Sequence, residues 1–234
     1  MTPQQKESAH KIYLYLGALF ITSLVVSNLI FQKFFYWYPF QMKIFGFKLF
    51  ELSVGILPYP ITFLITDLIS EIYGRQKANR IVTAGLFASF FSMGIILTAT
   101  LVPAIATSPV NDELFSRVFA LSPIAVLASM LAYLFAQYID IKIYHFWKKY
   151  TGGKHLWLRN NFSTFSSQFI DTFTVLFLLC AFKVLAWNMF YGLLLGGFLF
   201  KIFIALLDTP FLYLGTYLFR KKFNLKWGEE LKLT

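Results

Sequence analysis

Six long apolar stretches dominate the chain, over residues 12–32, 56–73, 79–103, 117–139, 163–183 and 188–209, and the last can run on past Pro210 to about Phe219. Each is near the 20 or so residues a helix needs to cross a bilayer. They lack the polar–apolar alternation of barrel strands. The pattern therefore predicts an all-α integral membrane protein, a six-helix bundle occupying residues 1–234 as one domain. The run from residue 12 exceeds the 7–15 residues of a signal h-region, so it is expected to be a span and not a cleaved leader. Between the first two spans, Lys33–Pro58 form a long connector containing FFYWYPF and then KIFGFKLFELSVG. Its short period and glycine punctuation suggest extended chain or a hairpin. Trp37 and Tyr38 suit an interfacial position, as an extracytoplasmic loop or as a lid over a ligand entrance.

Composition supports this reading. Hydrophobic residues make up 58% of the chain and charged residues 14%, against about 25% charged in soluble domains. The net charge of +10 raises the question of nucleic acid, and the placement of the charges answers it. With six spans, one side carries the N-terminus, the 74–80 and 140–162 loops and the C-terminal tail, with fifteen Lys and Arg. The other side carries five: Lys33, Lys43, Lys48, Arg117 and Lys183. The positive-inside rule then puts both termini in the cytoplasm. The charge is accounted for by the membrane, and no nucleic-acid partner is expected.

Against this greasy background the polar residues stand out. Asn28 and Gln32 are four apart in the first span, and Asp67 and Glu71 are four apart at the end of the second. The fourth span ends in Tyr133, Gln137 and Asp140, and the fifth holds Thr164, Gln168 and Asp171 at the same i, i+4, i+7 spacing, with Ser163 and Ser167 one residue behind. The sixth span contains Lys201 and Asp208. Such spacing draws one stripe down a helix. Ionisable groups in a membrane are costly, so the stripes should turn inward and line a polar cavity.

Plainer readings exist for several of them. Asn28 can simply bond a neighbouring helix. Glu71 can be a solvated helix end paired with Arg75 or Arg80, and Asp140 can close its span at the boundary. Lys201, more than ten residues from the span start at Trp187, is the obvious cation for Asp67 or Asp171. Gly192-x-x-x-Gly196, with Gly197, permits close helix approach, and assembly as a homo-oligomer stays open.

Catalytic constellations are lacking. His10, His145 and His155 lie in loops or termini, Cys180 has no partner for a disulfide, and neither an H-E-x-x-H nor a phosphate-cradling glycine loop occurs. No metal or cofactor is expected, and an ATP-driven pump on this chain alone is excluded. A membrane-embedded aspartyl enzyme on Asp67 and Asp171 is unspecified by anything else.

Taken together, YPITFLITDLISEIYG, ANRIV, AQYIDIKIYHFWK, LWLRNNFSTFSSQFIDTF and FKIFIALLDTPFLYLG resemble the queuosine precursor transporter family, formerly labelled a vitamin uptake family. The similarity spans about Ser27 to Tyr217. The resemblance implies a six-helix inner-membrane importer of 7-deazaguanines (preQ0, preQ1 or queuine) working without an ATPase module. It points to Asn28, Asp67, Arg80, Gln137, Asp140, Ser163, Thr164, Asp171 and Lys201 as substrate-binding positions, with Gln168 in the same stripe and Glu71 as a weaker member. A deazaguanine fits that set. Its N–H and NH₂ edge can be accepted by a carboxylate, its O6 needs a donor, and its flat face stacks on aromatic rings. A substrate-capture subunit of a vitamin-type uptake complex is the competing expectation.

Overall fold

The computed structural model describes residues 2–30, 33–36, 43–44, 47–48, 51–119, 123–183, 185–226 and 228–231. Gln32, Trp37 and Tyr38 lie outside the described residues.

Seven helices are formed among those residues: α1 (Pro3–Ile30), α2 (Tyr59–Ile72), α3 (Arg75–Leu101), α4 (Asp112–Phe119), α5 (Pro123–Tyr150), α6 (Leu156–Ala181) and α7 (Trp187–Phe223). Helix α1 begins nine residues before the apolar run expected from residue 12, because its polar first turns are good helix formers and simply extend it. The stretch expected as one span over 117–139 is divided. Amphipathic α4 ends at Phe119, and α5 starts at Pro123, whose fixed φ suits a helix start. Helix α7 passes through Pro210 and continues to Phe223.

In the connector, β1 (Phe34–Tyr36) pairs antiparallel with β4 (Glu51–Ser53), with Phe34 opposite Ser53. Inside it β2 (Lys43–Ile44) pairs with β3 (Phe47–Lys48). A 3-10 turn over Val54–Ile56 then leads into α2, and Ser27 of α1 hydrogen-bonds to the Gly55 carbonyl.

Among the described residues, five helical segments are long and apolar enough to cross a membrane: Pro3–Ile30, Val54–Ile72, Arg75–Leu101, Leu156–Ala181 and Trp187–Phe223. Their outward faces carry exposed Phe87, Phe91, Phe169, Phe211 and Leu218. A soluble protein does not display such a girdle, so the molecule is a multi-pass membrane protein.

Close helix approach occurs between α1 and α3. A Cβ at Gly17 would lie 2.7 Å from the Ile81 side chain, and one at Gly85 would lie 2.6 Å from the Phe20 ring, so each glycine makes room for a side chain of the other helix. At Gly197 the nearest atom, on Thr172, is at an ordinary 3.5 Å.

Helix α2 is the most enclosed element, with ten buried residues from Thr62 to Ile72. It touches α1, α3, α5 and α7, which places Asp67 and Glu71 in the interior.

Candidate binding site

Two kinds of polar neighbourhood occupy the interior, and they differ in whether their atoms are satisfied. The first surrounds Glu71, which has no exposed surface. Arg159 of α6 approaches Glu71 Oε1 at 2.6 Å, Arg220 of α7 bonds the same oxygen, and Lys148 of α5 lies 3.5 Å from Oε2. The Tyr144 hydroxyl donates to Oε2 at 3.1 Å, and Lys148 Nζ donates to the Glu71 carbonyl at 3.0 Å. One carboxylate thereby joins four helices at one end of the bundle.

The same end is closed by the C-terminal strap. Leu231 N donates to Ile72 O at 2.7 Å, Glu230 pairs with Lys148 at 2.9 Å, and Arg220 also donates to the Lys226 carbonyl. The expected partners of Glu71, Arg75 and Arg80, are both exposed on α3 and form no ion pair with it. Glu71 is therefore not a solvated helix end. It is the centre of a buried ionic seal whose cations come from distant parts of the chain.

The second neighbourhood lies one turn further along α2. Asp67 is buried and interacts with Asp140 of α5 and Asp208 of α7, with Thr164 of α6 facing it. Asp140 is also fully buried, so it does not close its helix in water. Its Oδ1 accepts from Ser167 Oγ at 2.9 Å, and Ser163 stands beside it. The Ser163 hydroxyl donates to Asn160 O at 3.0 Å. Gln137 uses its Nε2 to reach the Tyr133 hydroxyl at 2.8 Å.

Five acceptor atoms here have no hydrogen-bond partner: Asp67 Oδ1, Asp140 Oδ2, Gln137 Oε1, Asn160 Oδ1 and Gln168 Oε1. The Thr164 hydroxyl is likewise unpartnered. Buried polar atoms are nearly always paired, and these are exceptions.

Asp171 behaves differently. Its Oδ2 takes Lys201 Nζ at 2.5 Å and the Tyr59 hydroxyl at 2.7 Å. Lys201 also lies 4.7 Å above the Tyr59 ring. Tyr59 and Lys201 of this triad line a cleft together with Phe63, Thr164, Gln168 and Asp208 among others. Tyr59, Phe63 and Tyr133 pack at centroid distances of 5.2–6.1 Å and give this end of the cleft an aromatic surface.

The fold thus unites Asp67, Gln137, Asp140, Ser163, Thr164, Gln168, Asp171 and Lys201, which come from four helices. Asn28 stands apart. It lines a different, largely apolar cleft with Val25, Ser89, Met93 and Phe119. Arg80 is exposed on α3 near Tyr13 and belongs to neither neighbourhood. Asp208, Tyr59 and Asn160 are additions. Asp208 shares a polar stripe with Lys201 in the sequence, which was the available signal. Asn160 lies four residues before Thr164 on the same stripe, and nothing local marks Tyr59.

Helices long enough to span a membrane, with buried polar side chains between them, define a multi-pass membrane protein. The chain belongs to the family described as "Putative vitamin uptake transporter", whose sequence pattern matches residues 53–215. It is 28% identical over 163 residues to the "Probable queuosine precursor transporter" of Bacillus subtilis (strain 168), covering 69% of this chain and 70% of that protein. No solved structure matches. The family and this relative are both named as transporters, and the chain is a transporter and not an enzyme.

Proposed function

We propose that this chain imports queuosine precursors, 7-deazaguanines such as preQ0, preQ1 or queuine, across the inner membrane for tRNA modification. The carrying observation is the group of open acceptors on Asp67, Asp140, Gln137 and Gln168. A deazaguanine presents N1–H, an exocyclic NH₂ and a pyrrole N–H, all donors. The base lies with its guanine-like edge against Asp67 and its flat face against the aromatic wall of Tyr59, Phe63 and Tyr133. Stacking of this kind is worth about 1–3 kcal/mol per base in nucleic-acid complexes. O6 takes a donor from Gln168 Nε2 or Thr164. Ser163 and Ser167 hold Asp140 in place.

Six spans, α1, α2, α3, α5, α6 and α7, form a single domain. The strand-bearing connector lies outside, and the Glu71 end and both termini lie in the cytoplasm. The abundance of Lys and Arg at that end supports this orientation. The Glu71 seal then closes the cytoplasmic side while the cleft beside Tyr59 faces the entrance.

The test is uptake of labelled precursor into liposomes containing the purified chain alone, together with binding of preQ0, preQ1, queuine and guanine. Uptake that depends on Asp67 supports the reading. Binding without uptake points instead to a capture subunit that needs a partner. The absence of binding for all three precursors overturns it.

A further inference from the structure

Cations and carboxylates in the bundle are not evenly matched. Glu71 draws Lys148, Arg159 and Arg220, and Asp171 holds Lys201. Asp67, Asp140 and Asp208 form no salt bridge with any described residue. Asp67 lies within electrostatic reach of both of the others.

Asp208 occupies the part of the group that opens into the cleft, next to Thr164, Gln168, Ile204 and Lys201. Lys201 does not serve as its counter-ion, because that ammonium is seated on Asp171 and over Tyr59. Two of its cleft neighbours give a separate sign of a ligand. Thr164 and Gln168 are 4% and 3% exposed, and their Oγ1 and Oε1 atoms are without partners. Three carboxylates in apolar surroundings repel one another when ionised, and only a cation relieves this without removing charge. The recognition of the base edge described above uses Asp67 and Asp140. It leaves Asp208 over.

On the reading that the substrate is a deazaguanine-like base, we propose that Asp208 is a specificity-determining residue that binds a positively charged amine arm on that base. The site then takes an ammonium-bearing base in preference to a neutral one with the same ring. The ring sits in the cleft with its donor edge on Asp67, and the arm runs along α7 to Asp208. The bond is a charge-assisted one, about twice as strong as its neutral counterpart.

The test compares 7-aminomethyl-7-deazaguanine with 7-cyano-7-deazaguanine, which share a ring and differ in charge, on the purified full chain. The unsubstituted protein should bind the amine about tenfold or more tightly than the nitrile. Asp208→Asn should reduce that ratio to about threefold or less. Equal binding of the two by the unsubstituted protein overturns the proposal, as does a preference that survives Asp208→Asn. Asp208→Ser replaces the first variant should it fail to fold.

If neither compound binds, the deazaguanine reading falls, and benzylammonium against benzyl alcohol decides the present question. Thermal stabilisation by the cation alone, lost in Asp208→Asn, upholds the role of Asp208. An equal response to both compounds, or none, overturns it.

Discussion

Lys201 Nζ lies 2.5 Å from Asp171 Oδ2 and 4.7 Å from the centre of the Tyr59 ring, so one cation ties α7 to α6 and α2. This contact sorts the two deep aspartates. Asp171 has a counter-ion and a hydroxyl donor, and is committed to the protein. Asp67 has no counter-ion among the described residues, and its Oδ1 is without a hydrogen-bond partner.

Removing one member of the Lys201 pair leaves the other charge buried. Asp171→Asn and Lys201→Met should each destabilise the protein by about 3–5 kcal/mol. The double variant should recover much of the loss. Melting in detergent, read for both singles and the double, checks this. Singles that melt like the unsubstituted protein would show that the pair contributes nothing.

Asp67→Asn should act in the opposite way. No cation is stranded, and a source of repulsion with Asp140 and Asp208 is removed. The melting temperature should hold or rise, while precursor binding falls about tenfold or more, the ratio expected for a lost hydrogen bond to a charged group. Unchanged uptake would sink its assignment to the binding site.

Glu71→Gln leaves Arg159, Arg220 and Lys148 facing one another. The expected loss is again on the order of 3–5 kcal/mol. It should be accompanied by faster proteolysis within residues 226–231, because the strap is anchored beside the same residues. Cleavage at an unaltered rate would separate the strap from the seal.

Gly74 has φ of +83°, and a Cβ there would lie 2.2 Å from Glu230 Oε2. Gly74→Ala should cost roughly 1–3 kcal/mol in backbone strain and push Glu230 away from Lys148. Adding Glu230→Ala should recover the steric part only, which thermal melts of the single and double variants can resolve.

Asn28→Ala and Arg80→Ala should leave precursor affinity within about 0.5 kcal/mol of normal. Both lie away from the Asp67 group. A tenfold loss in either would mean that the substrate reaches further than the cleft.

The sequence was most informative where helical spacing alone decides the outcome. Gln137 with Asp140, and Thr164 with Gln168 and Asp171, do share faces that turn inward, because periodicity within a helix is local. Lys201 was legible as a partner because it stands in the middle of an apolar run, more than ten residues from the span start at Trp187. Pairing between helices was not legible. Glu71 has Arg75 four residues away, yet its cations come from Lys148, Arg159 and Arg220, because tertiary packing and not proximity in the chain decides which charges are buried together. Asn28 was drawn into the candidate set by its spacing from Gln32, but a polar residue on α1 can equally face another cleft. The division between α4 and α5 also escaped, since the end of α4 and the start of α5 both fall within the apolar run 117–139 and only Pro123 marks the restart.

The Glu71 seal sets a problem of timing for synthesis. Helix α2 leaves the ribosome long before its counter-charges, since Lys148 follows Glu71 by 77 residues and Arg220 by 149. At about 5–20 residues per second, the second gap is roughly 7–30 s. Until Lys148 and Arg159 arrive, the segment must be accommodated with an unpaired acid at one end, and it is among the least apolar of the membrane-crossing helices. Its seating is completed only by α7, which adds Arg220 to a carboxylate already held from α5 and α6.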